Sequence, residues 1–198
     1  MIEPHGKTLV SFHLSADELS EYSELSNKTA SLTLSLKQQC DLEMIANGAF
    51  SPLSTFNNQK DYEEILLNNR LSNGLVWPIP IVLDVPDQFL KSLDKNEYIS
   101  LRNAEGFLLA ILKVNEFWAP DKKEEANSVF KSNDPNHPGV DYLFNHTNNN
   151  YISGELVPIQ SNKYFDFTHL RKSPQEVRDF FRLNNWKDVI AFQTRNPM

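Results

Sequence analysis

EYISLRNAEGFLLAILKVNEFWAP, residues 97–120, is the stretch that decides the fold. It is rich in β-branched and aromatic residues on both sides of the tetrapeptide Asn103–Gly106. Residues of those types favour strands, whereas Asn and Gly favour tight turns. The stretch therefore predicts two strands joined by a turn, a β-hairpin.

Four further segments of the first 160 residues also have strand-like patterns. KTLVSFHL (7–14) and ASLTLSLK (30–37) alternate between apolar and polar residues, and YISGELVPI (151–159) is β-rich. LVWPIPIVLDV (75–85) contains two prolines, which suit an irregular or edge strand. In 30–37 the alternation places Leu32, Leu34 and Leu36 on one side of a half-buried strand.

Short helices are predicted between these strands. ADELSEYSEL (16–25) is acidic, and CDLEMIANGAF (40–50) contains Asp41 as a possible cap and Gly48 as a stop. KDYEEILLNNRL (60–71) places Tyr62, Ile65 and Leu66 on one face. DKKEEANSVF (121–130) predicts a helix with a solvated charged face, and 132–150 a loop or short helix. Frequent turns without a βαβ rhythm predict a small barrel.

The pattern becomes α/β from Ser173. Ser173 to Glu176 reads SPQE, a capping box with Pro at the first helical position, and the next residues place Val177, Phe180 and Phe181 on one face. Asn184 and Asn185 can end this helix. DVIAF (188–192) then predicts a short strand of a parallel sheet, buried on both faces.

Polar residues follow this strand, at the position where open α/β sheets bind ligands. Arg195 offers a planar fork of donors that matches a tetrahedral oxyanion. Gln193 and Asn196 add amides and Thr194 a hydroxyl, which together suit sulfate or phosphate. The residues alone leave a plainer alternative open, in which Arg195 pairs with an internal carboxylate and the amides cap a loop.

Composition limits the other functions. The net charge of −7 and a pI near 5.2 disfavour general binding to nucleic acid or anionic membranes. The single cysteine, Cys40, excludes a disulfide within the chain and is expected to be buried and inert. The five histidines lack metal-binding spacing, so no metal site is expected. With neither a signal peptide nor a membrane span in the sequence, we expect a soluble, cytoplasmic protein.

The sequence resembles the sulfate adenylyltransferase (ATP sulfurylase) family over essentially its whole length. The resemblance lies in DLEMIANGAFSPL, DYEEILLNNRLSNGLVWPIPIVLDV, NDPNHPGV and VIAFQTRNPM, which occur in the family's order. It implies an α+β chain: a PUA-like β-barrel domain with short helices at 1–165, then the first helix and strand of a Rossmann-like α/β nucleotidyltransferase domain at 166–198.

The activity that this resemblance implies is adenylyl transfer in sulfate assimilation. Sulfate attacks the α-phosphate of MgATP, which is a substrate, and gives adenosine 5′-phosphosulfate and pyrophosphate without a prosthetic group. By similarity, Gln193 and Arg195 hold sulfate, Gln193 and Asn196 contact ATP, and Thr194, Arg195 and Asn196 are the catalytic positions. No metal ligand is implied.

The family's ATP-binding His-x-x-His motif is not in this sequence. We therefore expect a truncated piece that is inactive alone, with strand 188–192 as an unpaired edge, and a homo-oligomer in the full-length enzyme. Two alternatives remain: a stand-alone PUA-like binding or oligomerisation module, and an RNA-binding barrel. The acidic charge and the lack of a basic, aromatic stretch argue against RNA.

Overall fold

The structure is a computed structural model that describes residues 3–95, 97–160 and 164–192. Its five strands are β1 Ala30–Thr33, β2 Leu83–Val85, β3 Tyr98–Arg102, β4 Leu108–Trp118 and β5 Asn150–Pro158. Its α-helices are α1 Ala16–Ser26, α2 Leu36–Ala46, α3 Gln59–Asn68, α4 Asp87–Leu90, α5 Lys122–Phe130, α6 Pro138–Asn145 and α7 Pro174–Leu183. Two short 3-10 helices lie at His5–Lys7 and Thr168–Leu170.

The strands form one sheet in the order β1-β3-β4-β5-β2. Only β1 and β3 run parallel among the described pairs, and the others are antiparallel. The sheet is a half-barrel with helices around it, which confirms the predicted α+β class. Within the predicted segment 75–85, Leu83–Val85 forms β2, which lies at one edge of the sheet, and Pro78 and Pro80 precede the strand.

The predicted hairpin is confirmed as β3 and β4. The strands pair from Tyr98 opposite Lys113 to Arg102 opposite Leu108. In the turn, the Gly106 N–H donates to the Asn103 carbonyl at 3.0 Å. Gly106 has a φ of 86°, a left-handed conformation that glycine adopts without a steric penalty.

The longest pairing joins β4 to β5 and contains a β-bulge. Val114 faces Gly154 and Glu116 faces Ser153, so Asn115 is the extra residue of β4. At the bulge the β4 backbone approaches β5 closely: a Cβ on Gly154 would lie 1.9 Å from the Lys113 carbonyl oxygen. Only glycine fits at this position without moving the backbone.

The apolar core lies against the sheet and joins strands to helices. Ile99, Leu101, Leu112 and Val114 of the hairpin are fully buried in it. The predicted face of α3 is also confirmed, because Tyr62 and Ile65 are buried and Leu66 packs partly buried beside them.

The predicted strand at 7–14 is wrong: Lys7 ends the first 3-10 helix, and residues 8–14 form no strand in the described chain. They run over the loop that follows α2. The Val10 N–H donates to the Ser51 hydroxyl at 2.9 Å, and a Cβ on Gly48 would lie 2.4 Å from the Val10 carbonyl oxygen. These contacts hold the segment on the loop instead of at a sheet edge.

The predicted strand at 30–37 ends early, at Thr33, because Ser35 begins α2. The Ser35 hydroxyl accepts from the Gln38 N–H, and the Gln38 side chain accepts from the Ser35 N–H, which is a capping box. Leu36 is therefore on a helix surface and 81% exposed.

Cys40 lies inside α2 and is exposed, so the expectation that it is buried was wrong.

The capping box at Ser173 is confirmed at the start of α7, which has Asn184 as its C-cap.

The predicted strand at 188–192 is wrong. No strand of the described chain lies beside these residues, and Ile190 and Phe192 are 96% and 87% exposed. A strand needs a paired neighbour for its backbone hydrogen bonds, and the described chain provides none for this segment.

Gly154→Ala should strongly destabilise the fold. Its methyl group overlaps backbone that cannot move without breaking the β4–β5 pairing, so we expect a loss of about 3 kcal/mol of unfolding free energy or more. Gly74→Ala is the matched control, because Gly74 also resists substitution, through its φ of 87°, but has open space around it. The control should lose about 1 kcal/mol. Urea unfolding measures both, and equal losses would contradict the steric account.

Candidate functional site

The four residues assigned to the site from the sequence, Gln193, Thr194, Arg195 and Asn196, lie outside the described residues. What the structure describes is the segment that leads to them, residues 164–192. We refer to it as the approach segment. The contacts of the approach segment with the half-barrel domain are therefore described here, because this segment leads directly to the four residues.

The approach segment is joined to α2 through Tyr164. The Tyr164 hydroxyl donates to Oε2 of Glu43 at 2.5 Å. The Arg171 guanidinium lies 4.1 Å from the centre of the Tyr164 ring, a cation–π contact. The hydrogen bond to Glu43, with burial second, raises the pKa of Tyr164, so the phenol stays neutral at physiological pH.

α7 lies beside the end of α2 across a cleft of about 350 Å³. Val177 and Phe181 of α7 line one side, and Met44 and Ala49 line the other. The cleft is open and its walls are mainly apolar side chains. The approach segment is thus held to the domain by the Tyr164 contacts and by this apolar face.

Much of the apolar surface of the approach segment remains exposed. Phe180 packs edge-on against Trp186 with ring centroids 5.4 Å apart, yet both side chains are 49% exposed. The other exposed apolar residues are Phe165, Phe167, Leu170, Leu183, Ile190 and Phe192. A surface this apolar is typical of a region that packs against further protein.

A buried carboxylate forms the most strongly perturbed titratable cluster of the domain. Oε2 of Glu125 accepts hydrogen bonds from the hydroxyls of Tyr62 at 3.0 Å and Tyr151 at 2.8 Å. Burial raises the pKa of Glu125, although the two hydrogen bonds oppose the shift. Burial, and next the Glu125 charge, raise the pKa of both tyrosines. The Trp118 ring packs against both tyrosine rings.

Perturbed titratable groups often mark active sites, but ion networks in cores perturb pKa values too. Glu125 is only 8% exposed and its hydrogen-bonding oxygen is enclosed by aromatic rings. We therefore assign it to holding α5 against α3 and β5. From the sequence, the run KKEE indicated a solvated helix face, so Glu125 was not expected to be buried. The signal that could have found it is the pair of tyrosines, whose buried hydroxyls need an acceptor.

A polar groove of about 560 Å³ lies at the β-bulge. Thr55, Asn58, Lys60, Asn115 and Glu116 are among its lining residues. Glu116 already serves the fold, since its carboxylate accepts from the Gln59 N–H at 2.7 Å, at the first turn of α3. The groove contains no catalytic motif.

No group of three His, Cys, Asp or Glu side chains is placed to hold a metal ion within 3–95, 97–160 and 164–192. The histidines make local contacts: His137 accepts from the Gly139 N–H as the N-cap of α6, and His146 lies 3.6 Å from Asp141. Among the helices of the described ranges, none has the length and apolar character needed to cross a membrane.

Two family models match the chain. Residues 2–161 match the PUA-like domain, and residues 168–198 match ATP-sulfurylase. The second match includes the four residues assigned to the site, although nothing in it assigns roles to them.

Curated relatives named sulfate adenylyltransferase match along the chain. The protein of Eremothecium gossypii is 41% identical over 100% of this chain and 40% of its own length. That of Schizosaccharomyces pombe is 46% identical over 84% of this chain and 34% of its own, and that of a Synechococcus strain 37% identical over 100% and 50%. The chain thus spans half or less of the length of these relatives.

A solved structure, described as a hexameric APS kinase from Thiobacillus denitrificans, is also similar. It superimposes with a TM-score of 0.77 and 30% identity, and the match covers 100% of this chain and 35% of that one. The likeness extends over both the half-barrel domain and the approach segment.

These findings define a PUA-like domain followed by a segment that matches the ATP-sulfurylase family. The chain belongs to the PUA-like domain family and, as its sequence resemblance predicted, is similar along its length to proteins named sulfate adenylyltransferase.

The raised pKa of Glu125 gives a pH-dependent contribution to stability. A group whose pKa is raised on folding contributes stability that is fully present below its unfolded pKa, near 4.5, and is lost as pH rises through the folded pKa. The unfolding free energy of the wild type, minus that of Glu125→Gln, should therefore fall as pH rises above 4.5. The slope should approach about 1.4 kcal/mol per pH unit.

Urea unfolding of both proteins between pH 4 and pH 8 measures this difference, and other titrating groups cancel in it. Tyr151→Phe provides a second check. Removing one hydrogen bond to the carboxylate should cost about 1–3 kcal/mol and raise the pKa of Glu125 further. If the difference in unfolding free energy between the wild type and Glu125→Gln stays constant from pH 4 to pH 8, the pKa of Glu125 is not raised on folding.

Proposed function

We propose that this chain is part of a sulfate adenylyltransferase, which converts ATP and sulfate to adenosine 5′-phosphosulfate and pyrophosphate. The observation that carries the proposal is the ATP-sulfurylase match over 168–198, which contains QTRN. Whole-chain similarity to relatives of that name supports it. We further propose a division into a PUA-like domain at 1–165 and the start of the catalytic domain at 166–198.

In the proposed site, Arg195 and Gln193 bind sulfate. The guanidinium supplies two parallel donors to the oxyanion, and the amide of Gln193 adds a neutral donor. Gln193 and Asn196 contact the nucleotide, and Thr194 shapes the loop. Thr194, Arg195 and Asn196 are the proposed catalytic residues, because the family that this sequence resembles uses these positions for catalysis.

The reaction needs no covalent enzyme intermediate. A sulfate oxygen forms a bond to the α-phosphorus, while the bond from that phosphorus to the bridging oxygen breaks and pyrophosphate leaves with Mg²⁺. Catalysis then rests on alignment of two anions and on neutralising their charge. The His-x-x-His motif of the family is not within these 198 residues, so in this proposal further protein completes the ATP site.

Further protein also accounts for the exposed apolar surface of the approach segment. Phe165, Leu183, Ile190 and Phe192 are each more than three-quarters exposed here. Packing them in the catalytic domain would bury side chains worth about 1.5–3 kcal/mol each. We propose a cytoplasmic homo-oligomeric enzyme that binds MgATP and sulfate as substrates and has no prosthetic group.

The alternative of a stand-alone PUA-like binding or oligomerisation module is not favoured. It explains the match of 2–161 but gives no reason for the similarity to continue through 168–198. The acidic charge of −7 also disfavours the RNA-binding alternative.

Arg195→Ala, made in the natural gene product that contains this chain, should lower sulfate-dependent pyrophosphate release by about 100-fold or more. Arg195→Lys should fail nearly as badly, because an ammonium group cannot replace a two-pronged donor. Arg182→Ala is the matched control, since Arg182 is an exposed arginine of α7 that pairs with Asp179. The control should retain near-normal turnover.

Thermal unfolding of the three variants checks that each remains folded. Near-normal turnover of Arg195→Ala would contradict the assigned role. A wild-type protein without sulfate-dependent pyrophosphate release would contradict the proposed activity itself.

A further inference from the structure

We propose that Glu43 and Tyr164 are positioning residues for the proposed site. Their hydrogen bond, with Arg171 over the Tyr164 ring, fixes the approach segment against α2 and thereby orients the residues that follow it. We call these three residues the latch. The proposal rests on the proposed function, because the oriented residues are those assigned to sulfate.

The fixed side of the latch is α2. Leu42 and Ile45 are buried in the main core, on either side of Glu43 in the sequence. At the start of the helix, the Gln38 amide donates to the carboxylate of Asp84 at 2.7 Å and to its carbonyl at 2.9 Å. Because Asp84 belongs to β2, α2 is tied directly to the sheet. Glu43 is thus presented from a rigid element.

On the other side of the latch, the residues of the approach segment contact one another. The Arg171 guanidinium donates to the backbone carbonyl and the carboxylate of Asp166, both at 3.1 Å. These bonds hold it over the ring of Tyr164, whose hydroxyl binds Glu43. Residues 164–171 therefore form one unit, whose Tyr164 hydroxyl binds α2.

α7 follows this unit directly, since Ser173 is its N-cap. Its Val177 and Phe181 meet Met44 and Ala49 across the open cleft, and no residue of α7 is buried. α7 is therefore more exposed than the helices of the half-barrel core, such as α2. The latch adds a directional contact, which sets where α7 begins relative to α2 and hence the path of the chain toward residue 193.

The latch should matter for orientation more than for global stability. Tyr164 is 40% exposed, and hydrogen bonds and charge contacts at such sites are screened by water. An isolated ten-residue helix is marginal in water, so release of the latch should let α7 fray without unfolding the half-barrel. Two measurements distinguish a positioning role from a contact that has no effect on α7 or on sulfate binding.

The first measurement is amide hydrogen exchange of this 198-residue chain. Tyr164→Phe and Glu43→Gln should each lower the protection of residues 174–183 by about 3- to 10-fold, a loss of one modest hydrogen bond. The double variant should be no worse than either single one. Tyr142→Phe and Glu64→Gln are matched controls on α6 and α3, which contain no residue of the latch. If residues 174–183 are as well protected in Tyr164→Phe and Glu43→Gln as in the two control variants, the proposal is wrong.

The second measurement is steady-state kinetics of the natural gene product. When only a fraction of molecules has the approach segment in place, the apparent affinity falls by that fraction. The KM for sulfate should therefore rise by the same 3- to 10-fold factor in Tyr164→Phe, with kcat at saturating sulfate unchanged. A fall in kcat at constant KM would indicate loss of folded enzyme and would contradict the latch.

The two measurements also separate the proposals. If the wild-type protein shows no sulfate-dependent turnover, the proposed function fails and the positioning role fails with it, whereas the exchange result still decides whether the latch holds α7. Arg171→Lys keeps a cation over the ring and should retain more protection than Arg171→Ala. Equal losses in these two variants would contradict the cation–π part of the latch.

Discussion

The close approach of β4 and β5 at Gly154 is the constraint on which the rest of the structure depends. The bulge at Asn115 lets the long strand β4 bend while it stays paired on both sides of the bulge. Thr55 donates to the Gly154 carbonyl and Ser153 donates to the Phe56 carbonyl, both at 2.7 Å, so the loop before α3 is tied to the same point. Beyond the bulge, Trp118 and Tyr151 come together over Glu125, which brings α5 onto the sheet.

That rigid half-barrel gives α2 a fixed position, and α2 in turn presents Glu43 to the approach segment. A binding segment gains affinity for its ligand when its orientation is set in advance. The PUA-like domain of this chain therefore has a physical role in the proposed chemistry although none of its described residues is assigned to the substrates. In our proposal, it supplies the surface against which the approach segment is oriented.

Local patterns predicted the parts of the fold that depend on local physics. The hairpin at 97–120 and the capping box at Ser173 follow from turn and cap chemistry over a few residues, and the face of α3 follows from helical periodicity. Leu36, Glu125 and the segment 188–192 were assigned wrongly because their environment is decided elsewhere in the chain. Ser35 caps a helix that interrupts the alternating segment 30–37. Tyr62 and Tyr151, which are distant in sequence, bind the carboxylate of Glu125 in the core. Placement and donor chemistry indicated residues 193–196 as suited to sulfate or phosphate, and the family resemblance added the individual roles, which stay predictions.

The central claim is that this chain belongs to an enzyme that joins sulfate to the α-phosphate of ATP. The most direct measurement is to incubate the natural gene product with ATP, Mg²⁺ and radiolabelled [³⁵S]sulfate, and to separate the nucleotides. The account predicts label in adenosine 5′-phosphosulfate, with one pyrophosphate formed for each labelled nucleotide. A folded protein that releases no pyrophosphate and leaves all label in free sulfate would contradict it.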